Sequence, residues 1–238
     1  MSTNCQSRLL AIAVASGLSA VSAGYAVLAA ISWYRFGRPT KPIDAERDTL
    51  LDRFMPVYQV VDRHHIRVAA PAGVTLAAAR EQQLLETPLV RAIFKMRQFA
   101  MGATRDARKH PAGLLEVTRE LGWGMLAERP DREIVMGAVT RPWEANVTFR
   151  ALPPEDFAAF WEPGFVKIVW TLRADPIDAA TSTFRTETRA VATDDIARVR
   201  FRRYWTFAAP GIALIRRFSL QPLRRAAERR LEALTATT

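Results

Sequence analysis

An uncharged apolar run near the N-terminus constrains this 238-residue chain more than any other feature. The run extends from Leu9 to Tyr34 without one charged side chain. A helix of about 20 apolar residues crosses the hydrocarbon core of a bilayer, so this run is long enough to span it with some tilt. Residues 1–35 are therefore predicted to form a transmembrane anchor.

The residues that flank this run predict its orientation. Trp33 and Tyr34 stand at its C-terminal end, where amphipathic rings favour the headgroup level of a membrane. Basic residues predicted to lie at the membrane surface follow at once, namely Arg35, Arg38 and Lys41. The positive-inside rule then predicts a single-pass protein with its globular part in the cytoplasm and its N-terminus outside.

A cleaved signal peptide is the alternative interpretation of the same run. Val21, Ser22 and Ala23 would serve as the small-residue cleavage site. The apolar region of a signal peptide usually has about 7–15 residues, which is shorter than this run. Cleavage would also leave Gly24 to Tyr34 as an apolar N-terminus, so the uncleaved anchor is the favoured interpretation.

The positive charge of the chain is concentrated near its C-terminus. The net charge is +10, and between Arg198 and Arg230 only Glu228 opposes the arginines. Such a segment can contact an anionic membrane surface or nucleic acid, or can be a solvated helix face. Tyr204 and Trp205 share a helical side with buried Phe201, so no nucleic-acid partner is predicted. The arginines predicted to face the membrane surface are Arg216, Arg217, Arg224 and Arg225.

The sequence lacks the common motifs of metal and cofactor sites. Cys5 is the only cysteine, which excludes an internal disulfide and a cysteine-based zinc site. His64 and His65 are adjacent on a predicted strand and would point to opposite faces. No nucleophile elbow, phosphate-binding glycine loop or dinucleotide fingerprint is present. We therefore predict no metal and no cofactor.

The order of predicted elements indicates one α+β domain. Residues 36–56, with Pro39 and Pro42, are predicted to be a juxtamembrane linker, and residues 57–238 the folded domain. The predicted strands are Val57–Val68, Gly122–Ala127, Glu133–Val139, Asn146–Ala151, Phe165–Arg173 and Thr181–Ala192. The predicted helices are Thr75–Glu86, Pro88–Met101, Leu114–Leu121, Pro154–Phe160 and a long one from Asp195, broken or kinked at Pro210 and Pro222. A strand over Ile196–Phe207 fits the alternation there as well.

Several short stretches carry a resemblance to a known family. They are Arg132-Glu133-Ile134-Val135-Met136-Gly137, Arg141-Pro142-Trp143, Glu162-Pro163-Gly164-Phe165-Val166-Lys167, Thr186-Glu187-Thr188-Arg189 and Phe201-Arg202-Arg203-Tyr204-Trp205. With the element order, they resemble a bacterial branch of the START-like helix-grip fold of the SRPBCC superfamily, over roughly Val57 to Arg230. The resemblance implies a curved antiparallel sheet around a long C-terminal helix, with an apolar cavity between them. The predicted location is then the bacterial cytoplasmic membrane.

The inward faces of the predicted strands supply the candidate site. His64 lies on the apolar face of the first strand, where it would act as an acid or base, or would simply be a buried or rim histidine. The residues predicted to line the cavity are His64, Trp123, Met125, Met136, Trp143, Trp170, Phe184, Thr186, Thr188 and Trp205. Each large apolar member of this set is also a good core residue.

Three functions are consistent with this sequence. The first is a membrane-anchored binding or carrier protein for a lipid or another hydrophobic small molecule. The second, an enzyme resembling polyketide cyclases and aromatases, rests on the resemblance alone because the sequence has no catalytic motif. The third is a structural or regulatory membrane partner with a filled core.

Overall fold

A six-stranded antiparallel sheet and one long C-terminal helix organise the protein. The computed structural model describes residues 22–82 and 113–236. The strands are β1 (Val60–Val68), β2 (Gly124–Arg129), β3 (Glu133–Thr140), β4 (Phe149–Arg150), β5 (Val166–Pro176) and β6 (Ser182–Ala192). The helices are α1 (22–35), α2 (Thr49–Phe54), α3 (Ala72–Glu81), α4 (Leu114–Glu120), α5 (Pro154–Ala159) and α6 (Asp195–Ala236), with a 3-10 turn at Asp44–Glu46.

The strands run in the order β1-β6-β5-β3-β2, and β4 pairs with the end of β3. All neighbours are antiparallel, which confirms the predicted α+β class with a long C-terminal helix, an arrangement consistent with a helix-grip fold. The predicted strands are found near their predicted bounds, except that Asn146–Ala151 shortens to the two residues of β4. The predicted helix Pro88–Met101 lies outside the described residues.

One face of the sheet packs against α3 and α6. Alternate side chains of the central strands point to this helix-facing side, among them Trp170, Leu172 and Phe184. They form a core with Leu76 of α3 and Leu223 of α6. The two-residue period of β5 and β6 therefore places their apolar side chains as the sequence predicts.

The opposite face of the sheet is covered by α2 and α5. Leu51 and Phe157 are fully buried there against Val135 and Val169. Gly137 permits this contact, because a Cβ at that position would lie 2.4 Å from Leu126 Cδ1 and 3.0 Å from the Phe157 ring. The interpretation of residues 36–56 as a linker is therefore wrong for α2, whose apolar side chains belong to the core.

The described part of the predicted anchor lies beside α6. The Arg202 guanidinium is 3.9 Å from the centroid of the Trp33 ring, and the Tyr25 hydroxyl donates to the Phe207 carbonyl. Just after α1, Phe36 packs edge-on against Phe201. In residues 22–82 and 113–236, we find no helix with the length and apolar character that a membrane crossing requires.

The C-terminal helix α6 begins at a side-chain cap. The Ala197 amide donates to Asp194 Oδ1 at 2.8 Å, which is the bond that an aspartate makes at a helix N-cap. The helix runs without interruption through Pro210 and Pro222 to Ala236, so the predicted break does not occur and the strand alternative for Ile196–Phe207 is wrong. Phe201 and Ala197 face the sheet, which fixes the register of the first turns.

Because α2 packs into the core, a substitution in it should lower the stability of the protein, although the sequence predicts a linker there. Leu51→Ala should lower the free energy of unfolding by about 2–5 kcal/mol, because it leaves a cavity under a fully buried side chain. Ile43→Ala, at a position 65% exposed, is the matched control and should change little. Denaturant unfolding of both variants measures this, and equal stabilities would contradict the assignment of α2 to the core.

Candidate functional site

A cluster with two charged groups and a histidine lies in the mostly apolar layer between the sheet and α6. On the helix-facing side, β1 contributes Asp62 and His64, and the neighbouring β6 contributes Thr186 and Thr188. The pairing register sets Asp62 opposite Thr188 and His64 opposite Thr186, so the four side chains form two adjacent rows. This arrangement follows from the two-residue period of both strands.

Arg216 of α6 completes this cluster. Its Nη1 donates to Thr186 Oγ1 at 2.7 Å, and its Nη2 donates to Thr188 Oγ1. Its Nε is 3.4 Å from Asp62 Oδ2. A guanidinium that leaves water must regain its hydrogen bonds in the protein, and here two hydroxyls and one carboxylate surround it. We name Asp62, His64, Thr186, Thr188 and Arg216 the Arg216 cluster.

The Asp62 carboxylate links the cation to the histidine. His64 Nε2 lies 2.9 Å from Asp62 Oδ1. Within the part of the chain that the structure describes, the buried Asp62 Oδ2 has no hydrogen-bond donor, although the charge of Arg216 is near. A carboxylate beside an imidazole holds the ring in one orientation, which suits the histidine for proton transfer as well as for binding.

Charge and burial act against each other in this cluster. Burial by itself would raise the pKa of Asp62, but the hydrogen bond from His64 and the charge of Arg216 outweigh it, and the pKa lies below its usual value. Burial lowers the pKa of Arg216, and Asp62 opposes that effect. The 3.4 Å contact makes Asp62 and Arg216 an ion pair, with side chains that are only 16% and 20% exposed.

The structure places all ten predicted cavity residues on the helix-facing side. Three belong to the Arg216 cluster, and the others form apolar walls on either side of it. Trp123, Met125, Met136, Trp170 and Phe184 pack with α3 and the C-terminal half of α6, and Trp143 and Trp205 pack near Phe201. Met136 and Phe184 are completely enclosed by neighbouring side chains, so they are core residues as the structure stands. That the ten residues line a ligand cavity stays a prediction.

The arginines predicted to face a membrane do not all lie at the surface. Arg216 points toward the sheet, so its predicted surface position is wrong, because its position on α6 brings it over Thr186 and Thr188. Arg224 is half-buried, with its Nε 3.9 Å from Glu228. The exposed members of the set are Arg35, Arg38, Lys41, Arg217 and Arg225.

A second buried polar group lies on the opposite face, beneath α2. Glu133 of β3 accepts from Thr171 Oγ1 at 3.3 Å, and Asp48 caps α2 by accepting from the Leu51 amide at 2.8 Å. Burial, with the hydrogen bond and negative charge of Asp48, raises the pKa of Glu133 to about 8. Sequence reasoning missed this group because it left the face under α2 open to solvent.

The opposite face also buries cations. Arg189 is 1% exposed and donates to Glu187 at 2.6 Å and to Asp52 at 2.5 Å. The Lys167 amine donates to the Ala158 carbonyl at 2.8 Å, and burial lowers the pKa of this lysine to about 8. These groups have hydrogen-bond partners of their own, whereas Asp62 Oδ2 of the Arg216 cluster accepts no hydrogen bond from the described residues, so that cluster is the better candidate site.

Comparison with known proteins adds little to this geometry. No family model matches the chain, and no curated protein matches it. Among solved structures, CalU16 from Micromonospora echinospora is 13% identical, with a TM-score of 0.24, and the match covers 74% of this chain and 86% of that one. The ZhuI aromatase/cyclase from a Streptomyces species is 14% identical, with a TM-score of 0.24, covering 72% of this chain and 94% of that one.

A third solved structure is similar over part of its length. The di-domain aromatase/cyclase BexL is 15% identical, with a TM-score of 0.22, and the match covers 74% of this chain and 47% of BexL. TM-scores at this level carry no argument about fold or function.

Removing Arg216 from its ion pair with Asp62 should change the pKa of Asp62 and the stability of the fold. Arg216→Gln should raise the pKa of Asp62 and lower stability at neutral pH by about 3 kcal/mol, because it leaves a buried carboxylate without its counter-charge. Asp62 stabilises the fold above its unfolded pKa, and this contribution is lost as the pH falls through its lower folded pKa. The variant should lose that contribution at a higher pH than the wild type.

Carboxyl NMR titration and denaturant unfolding measure these two effects. Arg217→Gln, one residue along and exposed, should leave both quantities close to the wild type. An Asp62 pKa that is the same in the two variants would contradict the ion pair.

Glu133 predicts a pH dependence of the opposite sign. Between the unfolded pKa of about 4.3 and the folded pKa of about 8, only the folded chain keeps a proton on Glu133. The stabilisation that this proton gives to the fold is therefore fully present below the unfolded pKa. It is lost as the pH rises through the folded pKa. In the Glu133→Gln variant, the free energy of unfolding measured with urea should fall less as the pH rises. The Glu155→Gln variant, changed at an exposed position, should show the same fall as the wild type.

Proposed function

We propose that this protein binds a hydrophobic small molecule or lipid between its sheet and α6. The main support is the Arg216 cluster, in which polar side chains bind one another between apolar neighbours. Binding sites for hydrophobic ligands combine apolar walls with a few placed polar groups that fix orientation. The polar end of the ligand would lie at the cluster, and its apolar body would lie against Trp170 and Phe184.

One oxygen of the Asp62 carboxylate supports this proposal, because it is ion-paired with Arg216 Nε at 3.4 Å but accepts no hydrogen bond from the described residues. A buried acceptor without a donor costs free energy, and a hydroxyl or N–H group of a ligand would supply that donor. The ligand class favoured by this cluster is therefore a mostly apolar molecule with at least one hydrogen-bond donor at one end. A purely hydrocarbon ligand would leave the polar groups of the cluster without new partners.

The segment of α6 just before Arg216 supports a route of entry. Pro210 cannot donate its backbone hydrogen bond, and Gly211 weakens a helix by about 1 kcal/mol relative to alanine. Ala208, Ala209 and Ala213 place only small side chains nearby. Bending of α6 at this weak stretch would open the space between helix and sheet that the core side chains now fill.

Attachment to a membrane is a further part of this proposal. The uncharged run from Leu9 to Tyr34 supports it, and a membrane would supply a hydrophobic ligand directly. Cys5, the only cysteine, permits a direct test of topology. A membrane-impermeant maleimide should label Cys5 in intact spheroplasts, because the N-terminus is expected outside the cytoplasm. Labelling only after lysis would contradict that orientation.

The ligand proposal predicts that a hydrophobic molecule accompanies the purified protein. Native mass spectrometry of the full-length chain, gently extracted in detergent, should show a bound molecule at close to one copy per chain. The paired variant Asp62→Asn with Arg216→Gln leaves no single buried charge, and it should lose at least about tenfold in occupancy. Arg217→Gln is the matched control. A bare wild-type chain in several detergents, or equal occupancy in both variants, would contradict the proposal.

An enzymatic role is the second candidate, favoured by the 2.9 Å contact between His64 and Asp62. A histidine oriented by a carboxylate can act as a general acid or base toward a bound molecule. If the protein catalyses conversion of its ligand, His64→Gln should lower turnover by about a hundredfold while the molecule still binds. Full turnover by this variant would remove His64 from the mechanism.

A further inference from the structure

The side of α6 that faces away from the sheet carries exposed apolar residues. Ile196 is 69% exposed, Phe207 67% and Phe218 46%, and Val199 and Leu214 are exposed as well. Ile196, Phe207, Leu214 and Phe218 follow one another at spacings that return to the same side of a helix. We call this side, from Ile196 to Arg225, the outer face of α6.

Arginines stand among these apolar residues. Arg200, Arg203 and Arg217 are exposed on or beside the same side of the helix, and Arg225 extends it. The sequence has no Asp or Glu between Asp195 and Glu228. Asp194 and Asp195 lie at the N-terminal end of this side, near Arg200, and the stretch beyond them has no acid of its own to neutralise the arginines. An apolar stripe with arginines along it is typical of a helix that lies in the interface plane of an anionic bilayer.

The neighbouring α1 extends this surface. Arg202 and Phe207 of α6 contact Trp33 and Tyr25 of α1, so the two helices lie side by side. The exposed side chains of α1 include Val27, Leu28 and Ile31. The surface is therefore wider than one helix.

We propose that the outer face of α6 is a contact surface for anionic phospholipid. Its apolar side chains enter the headgroup boundary, and its arginines pair with lipid phosphates. A second copy of the chain is a poorer occupant, because a two-fold contact through this face would bring the arginines of both copies together without acids between them. This proposal does not depend on a bound ligand or on the Arg216 cluster.

The experiment uses full-length protein with Cys5→Ser and one new cysteine at Phe218, labelled with an environment-sensitive fluorophore. The protein is reconstituted into phosphatidylcholine vesicles with or without about a third phosphatidylglycerol, each also carrying acyl chains with a quencher. We expect a blue-shifted emission and at least about threefold stronger quenching with phosphatidylglycerol, and both should weaken as salt rises. A control label at Ala179, in the exposed turn after β5, should respond to neither lipid.

Matched charge variants make the test specific. Replacing Arg200, Arg203 and Arg217 by glutamine should abolish the difference between the two lipids. Replacing Arg53, Arg67 and Arg132, which are exposed elsewhere, removes the same charge and should leave the difference intact. Equal responses of the two triple variants, or a label at Phe218 that stays in water with phosphatidylglycerol, would overturn the proposal.

Two other outcomes are distinguished by the same samples. Quenching or emission that depends on protein concentration and not on lipid charge would show that a second copy covers the face, and would also overturn the proposal. Retention of the protein on neutral vesicles reports the N-terminal attachment separately. Failure of that attachment is therefore distinguishable from failure of the outer face of α6.

Discussion

The central strands β5 and β6 are covered on both faces, and this double burial governs the rest of the structure. A charged side chain between these layers has little contact with water, so it has to find most of its partners inside the protein. Arg189 meets Glu187 and Asp52 on one face, and Arg216 meets Asp62 on the other. The placement of α2 and α6 thus depends on ion pairs as well as on apolar packing.

The two covered faces differ in what they offer a ligand. Beneath α2 the charged side chains lie close together and pair with one another. Glu187, for example, forms ion pairs with both Arg63 and Arg189. Beneath α6 the polar cluster is small, and it borders large apolar side chains. Among the described residues, none donates a hydrogen bond to its Asp62 Oδ2. The helix above it contains Pro210 and Gly211, two residues that disfavour a helix interior. The face beneath α2 is therefore closed by its own ion pairs, and the face beneath α6 combines a polar cluster with apolar walls.

Much of the sheet could be predicted from the sequence, because alternation in β5 and β6 assigns each side chain to a face. His64, Thr186 and Thr188 were placed correctly on this basis. The role of Arg216 could not be predicted, since the rise and rotation of a 42-residue helix decide which arginine meets Asp62. The doublets Leu50-Leu51 and Phe54-Met55 were the available signal for α2, but Pro39, Pro42 and mixed charges suggested a linker.

The most direct measurement is an experimental structure of the full-length protein with the molecule that accompanies it through purification. The account predicts that a polar atom of that molecule lies within hydrogen-bond distance of Asp62 Oδ2, with its apolar part against Trp170 and Phe184. A molecule bound elsewhere, or an ordered water paired with Asp62 Oδ2 beneath an unchanged α6, would contradict it.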